Sequence, residues 1–362
     1  MKKTLPIIAA LVSTLLVTGC FEEDPKPKPK NLERLELKQL LEIPGGVNGA
    51  LGLTLSDDGS LIAVGLGDIS SATKSGQIYT ADPGSSDIKV RTISSTAAQN
   101  YYGFSSVAYS KKLDSIFACS TPILSYGTIA PSVVQFKLDA TGNYVFTKVM
   151  NFVSTRTGQI CKGMAIQKNN LFVVNTAAID ASYPVLYQVD LDILPNTMTM
   201  ALRYSDLGYT RAELLAESVV DITPAKDPDP RSDFHLFLLD RSRRSIDEVK
   251  IATAPAVKSV TQLSFDEKII SEPLSIMNMG GYNFVLSAGI DGHGIPSTIY
   301  ELDYSDPSKD PSYTFLTSAP SPIFSIAYGP ARSGSGESLY TSLVLPDDKG
   351  KFHIAEYLYR NK

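Results

Sequence analysis

The chain of 362 residues has no tryptophan, only three cysteines and only three histidines. Those histidines, His235, His293 and His353, are scattered, which argues against a His-based metal centre. No G-x-S-x-G elbow and no H-E-x-x-H pair occurs, so neither the hydrolase nucleophile nor the zinc-protease helix is signalled. Cations do not gather into a stripe: 33 Lys and Arg face 38 Asp and Glu, a net charge of −5. Phosphate backbones are gripped by clustered Lys and Arg, so nucleic acid is not an expected partner. The apolar run Leu5 to Val17 is about 13 residues long, too short to span a bilayer. Sustained helical periodicity is also lacking, which excludes an α/β organisation.

The first thirty residues carry the most specific motif. Lys2 and Lys3 precede the apolar run, and Leu16-Val17-Thr18-Gly19-Cys20 follows. This resembles the lipobox of bacterial lipoproteins, in which small residues precede an obligatory cysteine. The resemblance covers only the leader, residues 1–19. It implies a diacylglyceryl group on the Cys20 sulfur, cleavage before Cys20 and acylation, typically palmitate, of the new amino terminus. Several acyl chains give stable membrane anchoring where one does not. Phe21 after the cysteine, in place of Asp, favours the outer membrane over the inner by resemblance to enterobacterial sorting. The alternative is an ordinary secretory leader in which the cysteine falls by chance. Losing the leader with its two lysines would take the net charge to about −7.

Residues 20–31 read as a tether. Proline lacks a backbone donor and favours extended polyproline geometry, so Pro25-Lys26-Pro27-Lys28-Pro29-Lys30 stays stiff and solvated. A polybasic lipid contact is the competing reading, but Glu22, Glu23 and Asp24 largely cancel the charge.

From residue 32 to 362 one pattern returns about every 50 to 58 residues. Its clearest copy is Leu51 to Val64: alternating Leu51, Leu53 and Leu55, the turn Ser56-Asp57-Asp58-Gly59, then the β-rich run Leu61 to Val64. Asp and Ser close such a turn on the local backbone, and Gly accepts positive φ. Third and fourth strands follow at Gln77–Thr80 and Ile88–Ile93. Five further units start near Phe104, Cys161, Ser218, Pro273 and Ile323. The sixth lacks a fourth strand, whereas the segment from Arg34 to Leu41 is an unassigned one. Radially repeated four-stranded sheets make a β-propeller. A strand at about 32–42 can complete the last blade and remove an exposed edge. The expectation is therefore an all-β, six-bladed propeller of four-stranded antiparallel blades, closed by its N-terminal strand. Two stacked sandwiches would need a central linker, and no composition break marks one.

Leu55 to Val64 resembles the Ser-Pro-Asp-Gly hairpin of propeller repeats in the Tol-system periplasmic protein and its relatives, with Asp57 in place of Pro. Without tryptophan, the chain has neither WD dipeptides nor tryptophan-docking repeats. The resemblance is architectural and names no activity.

In a propeller the loops between second and third strands share a face with the inter-blade segments. Here these loops carry Asp68, Asn175, Asp180, Asp240, Asp291, His293, Asp347 and Asp348, and inter-blade segments add Asn48, Glu217 and Glu272. Oxygen ligands from several blades suit Ca²⁺. Asn175 and Asp240, each immediately after an expected second strand in neighbouring units, resemble part of the metal site of gluconolactonase and senescence-marker propellers. That resemblance lacks its first-strand Glu, because Val47-Asn48-Gly49 stands there, and Glu217 would substitute only by another geometry. The competing reading is turn chemistry, since Asp and Asn populate loops for backbone reasons. His293, beside Asp291 in a Gly-flanked turn, is a candidate base without a nucleophile, or simply a surface histidine. Arg241-Ser242-Arg243-Arg244 is expected to pair with Asp247 and Glu248, or to hold an anionic ligand. Tyr101, Tyr102, Tyr126, Tyr183 and Tyr209 are loop tyrosines suited to a protein- or glycan-binding face, or to packing. Cys119 and Cys161 fall at one face of adjacent blades, where a disulfide or two buried thiols is possible.

No catalytic constellation is complete. The expectation is a lipid-anchored envelope protein whose propeller is a binding or assembly module for an envelope protein, small ligand or glycan. The alternative is a Ca²⁺-dependent lactonase-like hydrolase using Asn175, Asp240 and Glu217.

Overall fold

The structure, a computed structural model, describes residues 35–44, 50–65, 76–91, 93, 103–120, 132–152, 161–176, 180–210, 218–253, 256–290, 295–319, 323–332, 336–345 and 351–359. The first strand, β1 (Leu35–Glu42), stands apart from its neighbours in sequence. Blade 1 is β2 (Ala50–Leu55), β3 (Leu61–Gly65), β4 (Gln77–Ala81) and β5 (Lys89–Arg91). Blade 2 is β6 (Phe104–Ser110), β7 (Ser115–Ser120), β8 (Ser132–Leu138) and β9 (Tyr144–Asn151). Blade 3 is β10 (Cys161–Gln167), β11 (Asn170–Asn175), β12 (Pro184–Asp190) and β13 (Thr199–Arg203). Blade 4 is β14 (Val219–Pro224), β15 (Phe234–Asp240), β16 (Ser245–Thr253) and β17 (Ala256–Ser264). Blade 5 is β18 (Glu272–Gly280), β19 (Asn283–Ile290), β20 (Ile295–Asp303) and β21 (Ser312–Ala319).

Blade 6 is β22 (Ser325–Pro330), β23 (Glu337–Leu345) and β24 (Lys351–Tyr359), with β1 as its outer strand. The pairing is antiparallel, Leu35 opposite Tyr359 and Glu42 opposite His353. The expected six blades and the expected closure are thus the observed architecture. No described helix is long and apolar enough to cross a membrane.

Each seam between neighbouring blades holds its own cluster of buried apolar side chains among the described residues. The seam between blades 4 and 5, for example, stacks Phe237 edge-on against Phe284 at 4.8 Å. Burial at 25 cal/mol per Å², or somewhat more, makes these seams the main cohesive term.

The repeat has a structural cause at the central channel. The inner strands of the first five blades all break register near their start, skipping Leu51, Ser105–Ser106, Lys162–Gly163, Val220 and Leu274. Such a bulge bends and twists the strand locally. The residues at or just after the break, and Ser325 at the start of β22, meet the next blade. Ser325 Oγ accepts from Leu53 N at 3.2 Å, Ser275 Oγ from Ile326 N at 3.3 Å, and Asp221 Oδ2 from Ile276 N at 2.9 Å. Where the residue is Gly52 or Gly163 the next blade comes too close for a side chain. A Cβ on Gly52 would sit 2.7 Å from Ser106 Cα, and one on Gly163 2.9 Å from Asp221 Oδ1.

Candidate functional site

Two faces follow from the topology. First-to-second and third-to-fourth strand turns lie on one face; second-to-third loops and inter-blade segments lie on the other. Of the residues singled out on the loop face, Asp68, Glu217, Asp291 and His293 lie outside the described residues, as do Asn48, Asp347, Asp348, Tyr101, Tyr102 and Tyr126. Cys20 lies outside them too.

Asn175 and Asp240 are described, as the last residues of β11 and β15. Both are fully buried. Asn175 Nδ2 donates to the Pro184 carbonyl at 2.9 Å, and its own carbonyl accepts the Tyr204 hydroxyl at 2.8 Å. Beside it, the buried Thr176 hydroxyl has no protein partner. Asp240 accepts from the Tyr209 hydroxyl, from Ser242 Oγ at 3.0 Å and from the Arg243 amide at 3.0 Å. Burial raises its carboxyl above the usual range, against those bonds. Three donors on one carboxylate cap a turn and pin the preceding connection. Among the described residues no three His, Cys, Asp or Glu side chains gather as a metal would require.

Of the two sequence readings of Tyr183 and Tyr209, a contact face or packing, their burial fits packing. Tyr209 packs edge-on against Tyr204 at 5.4 Å, and its other face takes the Arg243 guanidinium at 3.6 Å. Turn polarity hid this, because a loop that folds onto its own blade looks in sequence like one that points outward.

The basic run finds partners other than those expected. Arg241 pairs with Glu272 of blade 5 at 3.5 Å, and Arg244 with Glu267 at 2.6 Å. Arg243 reaches the Leu207 carbonyl at 2.5 Å. Asp247 instead accepts from Ser245 at 3.1 Å, and its second oxygen has no partner. Burial and the nearby Asp240 push its carboxyl up to about 7.

On the turn face, the buried His235 is held by its neighbours. Its Nδ1 accepts the Asp229 amide at 3.0 Å, which leaves Nε2 to donate to Glu248 at 2.9 Å. Burial alone would raise Glu248, but donors from His235, Lys250 and Tyr282 outweigh it and hold the carboxyl at about 2. The arrangement fixes a ring orientation and leaves neither nitrogen open.

Cys119 and Cys161 are joined as a disulfide, with Cα atoms 5.6 Å apart, between the buried walls of blades 2 and 3. Ser105 Oγ donates to the Cys161 carbonyl at 2.8 Å, across the same seam.

Two cavities are described. The channel holds one of about 270 Å³, walled by inner-strand residues such as Leu55, Met164, Ile222 and Ile326. Asp221 adds one carboxylate, already committed to Ser275 Oγ at 2.6 Å and to Ile276 N. The larger, about 590 Å³, opens between blades 1 and 2 on the turn face. Sequence reading passed over it because its walls come from segments far apart in the chain.

No family model matches the chain, and no protein of curated function is detectably similar in sequence. In fold it is similar to a luciferin-regenerating enzyme, at 13% identity and TM-score 0.55 over 88% of this chain and 95% of that one. It is also similar to a catalytically inactive virginiamycin B lyase from Staphylococcus aureus with quinupristin, at 11% identity and TM-score 0.51 over 90% and 100%. At such identities the likeness shows the six-bladed propeller fold and no more.

Proposed function

We propose that this chain is a lipid-anchored protein of the bacterial envelope whose propeller binds a ligand rather than turning one over. The observation that carries the choice is the commitment of Asn175 and Asp240. Both side chains are buried and hydrogen-bonded locally, Asn175 through Nδ2 to Pro184 and Asp240 through both of its oxygens. A hard cation needs six to eight oxygens free to converge, and these two are used to hold loops.

The anchor rests on the Leu16 to Cys20 motif and the tether behind it. Strand β1 enters the domain at Leu35, beside Tyr359 and Glu337, on the turn face. An acylated Cys20 would therefore attach the membrane on that side and leave the loop face pointing away. The stretch from residue 21 to residue 34, tether included, reaches at most about 50 Å when extended.

The test has two arms. Cells grown with an alkyne palmitate should yield a labelled mature product that begins at Cys20, and Cys20→Ser should abolish the label. Calcium-loaded, desalted protein should carry no stoichiometric metal. Retained calcium together with hydrolysis of a simple sugar lactone would replace this reading with the lactonase-like one.

A further inference from the structure

We propose that the cleft between blades 1 and 2 is a binding site for a neutral, polyhydroxylated ring, that is, a saccharide. This inference deepens the binding-module reading and rests on it.

The cleft opens between blades 1 and 2, whose outer strands are β5, three residues long, and β9, eight residues long. Ile93 bridges Tyr144 of β9 across the same seam. The gap of about 590 Å³ lies within the usual 300–1,000 Å³ of small-molecule sites. Its apolar surface comes chiefly from the half-exposed Leu138, set over the buried Ile62, Ile116 and Tyr144. Hydrocarbon and aromatic surface of this kind packs against the C–H faces of a sugar ring.

The polar walls decide the ligand's charge. Four carboxylates line the cleft: Asp57, Asp58, Asp82 and Asp114. Cations are already beside two of them. Lys111 pairs with Asp57 at 2.7 Å, and Asp82 with Lys89 at 2.6 Å and Arg91 at 3.7 Å. Asp114 accepts the Tyr109 hydroxyl at 2.9 Å, and Asp58 accepts the Ser60 amide at 3.0 Å. Bonds from Ser56 and Lys89 respectively hold Asp58 and Asp82 below the ordinary carboxylate range, so both accept hydrogen bonds at neutral pH. Three cations, Lys89, Arg91 and Lys111, stand beside four carboxylates, so the cleft keeps a small negative excess and has no pull on an anion. It keeps many directional acceptors and donors beside the half-exposed Leu138. Hydroxyl groups, which donate and accept at once, use both kinds.

The probes are cellobiose, maltose and N,N′-diacetylchitobiose, each titrated to about 20 mM against the detergent-solubilised full chain, a range suited to millimolar affinity. Saturation-transfer NMR should show contact with at least one, through its ring protons. Lys111→Ala with Asp114→Asn should weaken that binding at least tenfold. Both residues lie on exposed turns, and unchanged melting would show that the fold survives. A second variant, Leu138→Asp, should weaken it by removing apolar contact. No saturation transfer from any of the three sugars overturns the proposal, as does binding that both variants leave intact. Lipidated, calcium-free protein that ignores the sugars would sink the cleft inference alone and leave the anchored binding module standing.

Discussion

Gln39 and Glu356 are 317 positions apart, yet Gln39 Nε2 donates to Glu356 Oε2 at 2.6 Å. This contact locks the closing strand β1 onto β24. The other Glu356 oxygen accepts the Arg332 amide at 2.7 Å and Ser338 Oγ at 2.9 Å. Arg332 then extends a buried guanidinium into blade 1, donating to the Ala81 carbonyl at 2.8 Å and to the carbonyls of Asp82 and Ser85. One carboxylate thus ties β1, β24 and β23 to the turn after β22, while Arg332 in that turn clasps the first blade. Glu356→Ala leaves several buried donors unmet and should cost about 2–4 kcal/mol. Gln39→Ala, at the partly buried end of the contact, should cost about 1 kcal/mol. Urea midpoints check both, and equal effects would deny Glu356 its central place.

The disulfide should act as a staple between blades 2 and 3. Its sequence separation is 42, and a loop of that size stabilises by roughly 4 kcal/mol in the chain-entropy treatment. Reductant should lower the urea midpoint of the protein and leave a Cys119→Ala/Cys161→Ala variant unchanged. Unreduced, denatured protein should take up no alkylating label at either position.

Asp247 gives the stability a pH signature. Its carboxyl titrates near 7 in the fold, against an ordinary value of 3.8. Between those values the folded protein keeps a proton that the unfolded chain has released. The contribution is therefore fully present below about pH 4 and lost as pH rises through about 7. Asp240, raised by the same burial, acts in the same direction. Glu248, held near 2, acts oppositely and only in acid. Asp247→Asn copies the protonated form, so it should flatten the fall in urea midpoint between pH 5 and pH 8 and be the more stable protein at pH 8. A parallel fall in both proteins would remove Asp247 from the account.

Strand periodicity and turn residues made the blades legible, because alternation at period two and Asp-Gly turns are local signals. The missing fourth strand of the sixth unit and the spare strand before the first revealed the closure. The site was less legible for a physical reason. Asn175 and Asp240 look like ligands in sequence, but what they bind depends on Pro184, Tyr209 and Arg243, set by tertiary folding. Arg241 and Arg244 pair with Glu272 and Glu267, while Asp247 is held by Ser245 and Glu248 by His235 and Lys250, pairings that sequence proximity does not reveal. The cleft joins Asp57, Arg91, Lys111 and Tyr144, which no spacing rule connects.

The inner-strand residues at or just after the register breaks, together with Ser325 at the start of β22, give the sharpest test of why the repeat persists. Around the channel they read Gly52, Ser106, Gly163, Asp221, Ser275 and Ser325. A serine is harmless at Ser275 or Ser325, where the next blade leaves room for the hydroxyl to accept an amide. At Gly52 a new Cβ would press on Ser106 Cα at 2.7 Å and on Val107 N at 3.0 Å. These are backbone atoms, which cannot swing aside as a side-chain tip would. Gly52→Ala should therefore push blades 1 and 2 apart, at a cost of about 1–3 kcal/mol. Gly163→Ala should cost a similar amount, since Asp221 Cα stands at 3.0 Å. Ser325→Ala removes one hydrogen bond without adding bulk and should cost about 1 kcal/mol. Thermal midpoints of the three variants rank the effects. If Ser325→Ala proved worse than either glycine variant, hydrogen bonding rather than close approach would govern the belt.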